Sequence, residues 1–269
     1  MRKIFPAQPE QRALRAAAWG AFVTFNRPHP QTFRILKDEY RLSVELLSSN
    51  PSGRWMPAQP DERLAEHLMT LYWWGILGLE EPNALLPRFF ANAAGALRGR
   101  ALDFVGLSLH RAGEDLSPDT LDRLRQLWIQ RSHPHPGEEM LSSEEAAAFG
   151  WWFASAKFDD AWSLAQLKSA LQHVRDLGAY DLVLERLASL SSDMPADVVD
   201  CLRLLLESDT EGWRIIAFRD VQRRILRAAL RSGDLRARQT AENLVNRLGA
   251  RGQWDLGELL HEAENGTMS

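Results

Sequence analysis

Glu66 and His67 stand side by side in the segment DERLAEHLMTLYWWGIL, with Tyr72 a little over one helical turn further on. A carboxylate, an imidazole and a phenol are the parts of a general acid–base site. They are the best isolated set in the chain, and they carry the reading of an enzyme. The competing account is that a histidine on an aromatic-rich helix is a hydrogen-bonded packing residue, and that account is the favoured one. Other chemistry is harder to assemble. His133 and His135 lie in the proline loop HPHPG, and His261-Glu262 lacks the second histidine of a zinc-binding HExxH. One cysteine, Cys201, cannot build a thiolate site. No GxxxxGK or GxGxxG phosphate loop occurs, and no GxSxG elbow. The adjacent acids Glu138-Glu139, Glu144-Glu145 and Asp159-Asp160 each stand at a helix start, where the positive end of the helix dipole explains them without catalysis. No catalytic, cofactor or metal residue is assigned, and the chain is expected not to be an enzyme.

The charge pattern says more. Between Asp176 and Glu211 nine acids face Arg186 and Arg203, a net of −7. Between Arg214 and Arg251 ten arginines face Asp220, Asp234 and Glu242, a net of +7. Adjacent blocks of opposite sign suit helices that neutralise each other, and they also suit an exposed basic ridge. Arg219, Arg223, Arg227 and Arg231 recur every four residues. Four-residue steps advance by about 40° on an α-helix, so the four form a slowly winding stripe. Ile215, Phe218, Val221, Ile225, Leu226 and Ala229 are expected to turn inward. The stripe is the candidate interaction surface, for a protein partner or for a seam with the acids of 193–211. Nucleic acid is the rival partner. No aromatic residue interleaves the arginines between 219 and 253, so a stacking platform for single strands is missing there. Lysine stands only at 3, 37, 157 and 168, leaving 28 of the 32 basic side chains as arginine. High genomic GC content produces this bias without any nucleic-acid role.

The elements that must position these residues are helices. FGWWFASAKFDDAW, residues 149–162, holds six aromatics among its fourteen residues and marks the end of one helix and the start of the next. Ser142 and Glu145 have capping-box spacing ahead of a helix over 144–156. Asp159 or Asp160 caps the following helix, with Phe158 set to pack on Trp162. Trp151 or Trp152, and Trp162, are expected to be buried. Periodicity predicts helices at 10–25, 31–48 and 61–77, a buried helix over 101–109, and one opened by Ser117-Pro118. Further helices follow at 160–175, 179–191, 195–207, 211–231, 235–248 and 255–263. About a dozen helices with short loops, paired every 35–45 residues, indicate an all-α fold. An α-solenoid-like stack of HEAT or armadillo-type hairpins is the expected architecture, as one domain over 1–269 with a sub-boundary near 133–141. A globular bundle is the competing one.

Apolar residues at 45% and charged residues at 25% are ordinary for a globular protein. The single cysteine points to a reduced compartment, with Cys201 a small core residue. No apolar run approaches the length of a membrane span, and the N-terminus lacks an apolar secretory segment. A cytoplasmic location without membrane association is the expectation.

Several phrases together carry a resemblance: RAAAWGAFVTFNRPHP, LAEHLMTLYWWGILGLE, FGWWFASAKFDDAW, EGWRIIAFRDVQRRILRAAL and ENLVNRLGARGQWDLGELL. They resemble the helical C-terminal region of large bacterial NTPases of the STAND-like and antiphage-defence type. The resemblance implies a helical-repeat sensor or scaffold that acts with an NTPase. The chain departs from the full pattern in having no phosphate loop, so no active-site residue carries over.

Overall fold

Apolar periodicity sets the helices, and side-chain caps set where several of them begin. The structure is a computed structural model that describes residues 59–73, 75, 78–79, 85–112, 116–132, 141–174, 176–209, 212–252 and 254–266. The helices expected at 10–25 and 31–48 lie outside the described residues, as do His133, His135, Glu138 and Glu139. Among the described residues there are twelve α-helices, one 3-10 turn and no strand. The chain divides into two compact units, Met1–Ala148 and Phe149–Ser269.

In the first unit, α1 (Gln59–Trp73) is followed by α2 (Leu85–Asn92), α3 (Gly95–Arg111) and α4 (Pro118–Ser132). Ala65, Leu68, Met69 and Tyr72 recur at i, i+3, i+4 and i+7 and are buried as α1 packs on α3 and α4. Ala101, Leu102, Val105 and Leu109 answer from α3, so the 101–109 run is the buried helix its neighbours require. The start of α5 (Ser143–Ala154) closes the unit. Its capping box is formed: the Ser142 N–H donates to Glu145 Oε2 at 3.2 Å, and the Glu145 N–H donates to Ser142 Oγ at 3.2 Å. The same carboxylate is fully buried between two arginines. Arg98 Nε donates to Oε2 at 3.0 Å and Arg131 Nε donates to Oε1 at 2.9 Å. Arg98 Nη1 also donates to the Ala93 carbonyl at 2.8 Å, beyond the end of α2. One glutamate thus starts a helix and ties two others, α3 and α4, to it.

The second unit holds α6 (Asp160–Ala170), α7 (Tyr180–Leu190), α8 (Pro195–Ser208), α9 (Trp213–Ala217), α10 (Arg219–Arg231), α11 (Leu235–Ala250), the 3-10 turn Trp254–Gly257 and α12 (Glu258–Gly266). α7 packs on α8, α8 on α10, and α10 on α11. α8 also touches α6 and α11, while α10 touches α7 and α12. With the short α9 set aside, each helix contacts its next neighbour but one, which orders the packing in two rows, α6, α8, α11 and α7, α10, α12.

The aromatic joint at 149–162 is built largely as its residues suggest. Trp152 and Phe153 are fully buried, and Trp152 stacks on Phe158 at 6.3 Å. Asp159 Oδ1 accepts the Trp162 N–H at 2.9 Å and caps α6. Trp162 itself is half-buried rather than inside. The cap places it in the first turn of α6, where it covers Phe158 at 5.4 Å and keeps one side in solvent. A Cβ at Gly150 would overlap the Gly178 carbonyl, so only glycine permits this approach of the α6–α7 turn. Cys201 is buried on α8, and desolvation pushes its thiol pKa up to about 12.

One expected helix is two. Residues 211–231 break at Phe218, which leaves the helical region at φ −116° and ψ 26°. The break turns the Phe218 ring onto Tyr180 at 5.2 Å. Ile215, Ile225, Leu226 and Ala229 are buried as expected, whereas Phe218 and Val221 are half-buried.

Candidate functional site

Of the acid–base candidates, the structure describes the side chains of Glu66 and Tyr72. Glu66 and Tyr72 are six residues apart on α1, about 240° around the helix axis. The Tyr72 hydroxyl donates to the Arg123 carbonyl on α4, and burial raises its pKa, against the nearby Arg123 charge. Arg123 Nη2 in turn donates to the Trp73 carbonyl at 3.1 Å. Tyr72 and Arg123 thus fasten the end of α1 to α4. The His67 side chain lies outside the described residues. Among the described residues, no group of three or more His, Cys, Asp or Glu is placed to hold a metal ion.

The arginine stripe meets a different set of acids from the one expected. Arg227 Nε pairs with Glu262 at 3.0 Å, and Arg223 reaches Glu258 at 3.5 Å and Glu262 at 3.8 Å, all on α12. Two arginines four residues apart face two glutamates four residues apart. Arg219 is half-buried and Arg231 is exposed. Asp200 and Glu207, within the acids of 193–211, take other basic residues, from α6, α8 and α11. Asp200 accepts from Lys168 at 2.6 Å and from Arg236. Burial would raise the Asp200 pKa, but those two hydrogen bonds together outweigh it and lower it. Glu207 holds Arg203 at 2.8 Å and Arg247 at 2.7 Å. Arg224 pairs with Glu185 at 3.0 Å on α7.

The feature that sequence reasoning passed over is α9. Five residues are too few to hold a helix by propagation alone. Gly212 enters it at φ +74°, a left-handed turn that glycine takes without Cβ strain. The buried Asp209 carboxylate then accepts the Gly212 N–H at 3.0 Å and the Arg214 N–H at 3.1 Å. From the C-terminal flank, Gln222 Nε2 donates to the Arg214 carbonyl at 3.1 Å, also in the first turn. Arg214 lies over the rings of Tyr180 at 4.7 Å and Trp213 at 5.3 Å, and pairs with Asp176. Side chains from both flanks therefore pin α9 in place.

What α9 presents is apolar. Trp213 is 51% exposed and Ile216 60% exposed, although both are large hydrophobic residues. Beside them a groove of about 600 Å³ is lined by Ile216, Ala217, Phe218 and Val221, with Arg219, Asp220 and the Glu185–Arg224 pair at its rim. Exposed apolar side chains set among charged ones, with a tryptophan next to a stacked arginine, are the composition of a protein-binding surface. The signal in the sequence was Asp209 ahead of Gly212-Trp213, an Asx-type turn leading into an aromatic. No known protein-family model, no curated protein and no solved structure matches this chain.

Proposed function

We propose that the chain is a non-catalytic helical interaction module that takes a protein partner on the α9 surface. The observation that carries this reading is the exposure of Trp213 and Ile216 on a helix too short to fold alone and held in its first turn by side chains from both flanking segments. A frayed segment exposes apolar side chains by accident, whereas a braced one exposes them in a fixed geometry. The module is a repeat stack of helical hairpins in the HEAT or armadillo manner. Support for that architecture comes from the two-row packing of the second unit, in which each helix meets its next neighbour but one. The sequence resemblance makes a bacterial NTPase the expected companion, with the module as its sensor or scaffold in the cytoplasm.

The test is a selection of phage-displayed peptides on the full chain, repeated on Trp213→Ala/Ile216→Ser. Both side chains are more than half exposed, so the variant keeps its melting temperature. Selected binders should lose at least about tenfold in affinity, as interface anchors do. Absence of binders, or binders indifferent to the double substitution, sinks the reading. The rival is nucleic-acid binding by the stripe. It requires duplex affinity that falls steeply with salt and disappears in Arg223→Ala/Arg227→Ala. The pairing of both arginines with α12 glutamates weighs against it.

A further inference from the structure

The centre of the basic stripe is already occupied, and its occupant belongs to this chain. Past α11, Gly252 turns the backbone at φ +92°, and the 3-10 turn Trp254–Gly257 leads into α12, which packs on α10. Arg227 donates to both carboxylate oxygens of Glu262, from Nε at 3.0 Å and from Nη2 at 3.4 Å. Arg223 reaches across to Glu258 and Glu262. At about 100° per residue, Arg223, Leu226, Arg227 and Leu230 fall within an arc of about 100° on α10, and both leucines are buried. Glu258, Leu259 and Glu262 fall within an equal arc of α12, and Leu259 is buried. A face of two cations and two leucines is thus matched by a face of two carboxylates and a leucine.

The match is specific but lightly held. Of the α12 side chains that the structure describes, Leu259 alone is buried. Glu258 is largely exposed and Glu262 half-buried, so water screens both carboxylates and their pairs contribute little. A segment held this way opens locally while the rest of the fold stays closed. We propose that α12 is a built-in ligand that closes this face of α10, and that a protein partner displaces it with an acidic helix of the same kind, two carboxylates one turn apart beside a leucine. Such a helix returns a carboxylate for each one it removes, so both arginines stay paired. A nucleic-acid strand supplies the charge but no side chain for the leucines that α12 leaves. Neither Arg223 nor Arg227 lines the α9 groove, so this site stands apart from the α9 surface.

The test uses the full chain with Glu258→Arg/Glu262→Arg, which repels α12 from its seat, and a fluorescent peptide copying residues 254–269 as the probe. The variant should bind the peptide at least about tenfold more tightly than wild type, the factor expected when α12 fills the seat about nine-tenths of the time. Adding Arg223→Glu/Arg227→Glu to the variant re-pairs α12 with reversed charges and should abolish the gain. Adding Trp213→Ala/Ile216→Ser instead should leave it intact. Hydrogen exchange on the wild type reads the same opening without substitution, and decides alone if the charge-reversed α12 unfolds the chain. The amides of 262–266 should exchange at least about tenfold faster than those in the middle of α10 and α11, and saturating peptide should speed them further. The proposal is overturned if those amides are as protected as the middle of α10, if the variant gains no peptide affinity, if the gain survives the arginine reversals or depends on Trp213 and Ile216, or if a DNA duplex gains as much as the peptide.

Discussion

Replacing Arg186 by Met should loosen the joint more than any other single polar change in the second unit. Arg186 is 8% exposed, and three different elements use it. Its Nη1 donates to the Phe153 carbonyl at the end of α5, and its Nη2 donates to Asp160 Oδ1 at 2.6 Å in the first turn of α6. Its guanidinium lies 4.7 Å from the centre of the Phe153 ring. Met keeps most of the aliphatic stem, so the loss falls on these three contacts. The Phe153 carbonyl loses its charged donor and keeps only the Ala156 N–H at 3.3 Å, a loss of about 1.5–3 kcal/mol. The cation–π contact adds about 0.5–2 kcal/mol. The Asp160 pair adds no more than about 1 kcal/mol, because that carboxylate is half in water. The sum is about 2–4 kcal/mol once partial relaxation is allowed.

In urea, with a slope of about 1–3 kcal/mol per molar, the midpoint followed by tryptophan fluorescence should fall by roughly 1–2 M. Trp152 stacks on Phe158 inside this joint and reports on it directly. Asp160→Asn is the matched control and should shift the midpoint by less than a third as much. Desolvation lowers the Arg186 pKa while Asp160 raises it, yet an arginine stays charged throughout the working range, so the effect should not change between pH 5 and pH 8. If Arg186→Met costs under 1 kcal/mol, or if Asp160→Asn costs as much, the clamp is not what closes the joint.

Four further outcomes are expected. Gly150→Ala should destabilise by at least about 1–3 kcal/mol, since its Cβ meets backbone that cannot swing aside; a midpoint equal to wild type refutes this. Trp152→Ala should cost about 3–5 kcal/mol and Trp162→Ala distinctly less, so equal losses would contradict their different burial. Asp103 is held protonated up to about 6, mainly by burial and against the pull of Arg100. Its folded pKa lies above the unfolded one, so stability falls as pH rises from about 4 to 6; Asp103→Asn should raise the midpoint at pH 7 and leave it unchanged near pH 3. Cys201 should resist a thiol reagent in the native chain at pH 8 and label at once in denaturant.

Local signals were legible and long-range pairings were not. Ser142 with Glu145 and Asp159 ahead of Trp162 are caps made within one turn, so their spacing is enough to find them. Nothing in that spacing reveals that Glu145 is also the buried carboxylate for Arg98 and Arg131, because those partners come from two other helices. Arg186 escaped for the same reason: within its block it counted only as a minority charge. Continuous helical periodicity over 211–231 hid the break at Phe218, which a tertiary contact with Tyr180 imposes. The stripe was visible, but its partners were not sought on the last helix. Glu258 and Glu262, at the same four-residue spacing, were the readable clue.

The two opposed charge blocks argue for recognition by shape and hydrogen bonds over attraction by field. Among the described residues, Arg214, Arg223, Arg224, Arg227, Arg236 and Arg247, six of the ten arginines between 214 and 251, are seen in ion pairs. Four of those six reach back to acids of the negative block, on or before α8, and the other two to α12. Each exposed pair contributes only about 0–1 kcal/mol to folding, so their sum does not explain the fold. Their larger effect is on the surface potential. A phosphate backbone approaching this face would have to displace carboxylates from the arginines it needs, offsetting the counterion release that drives such binding. A partner anchored on the proposed α9 surface displaces no carboxylate. In the proposed reading, discrimination between partners rests on the exposed Trp213 and Ile216.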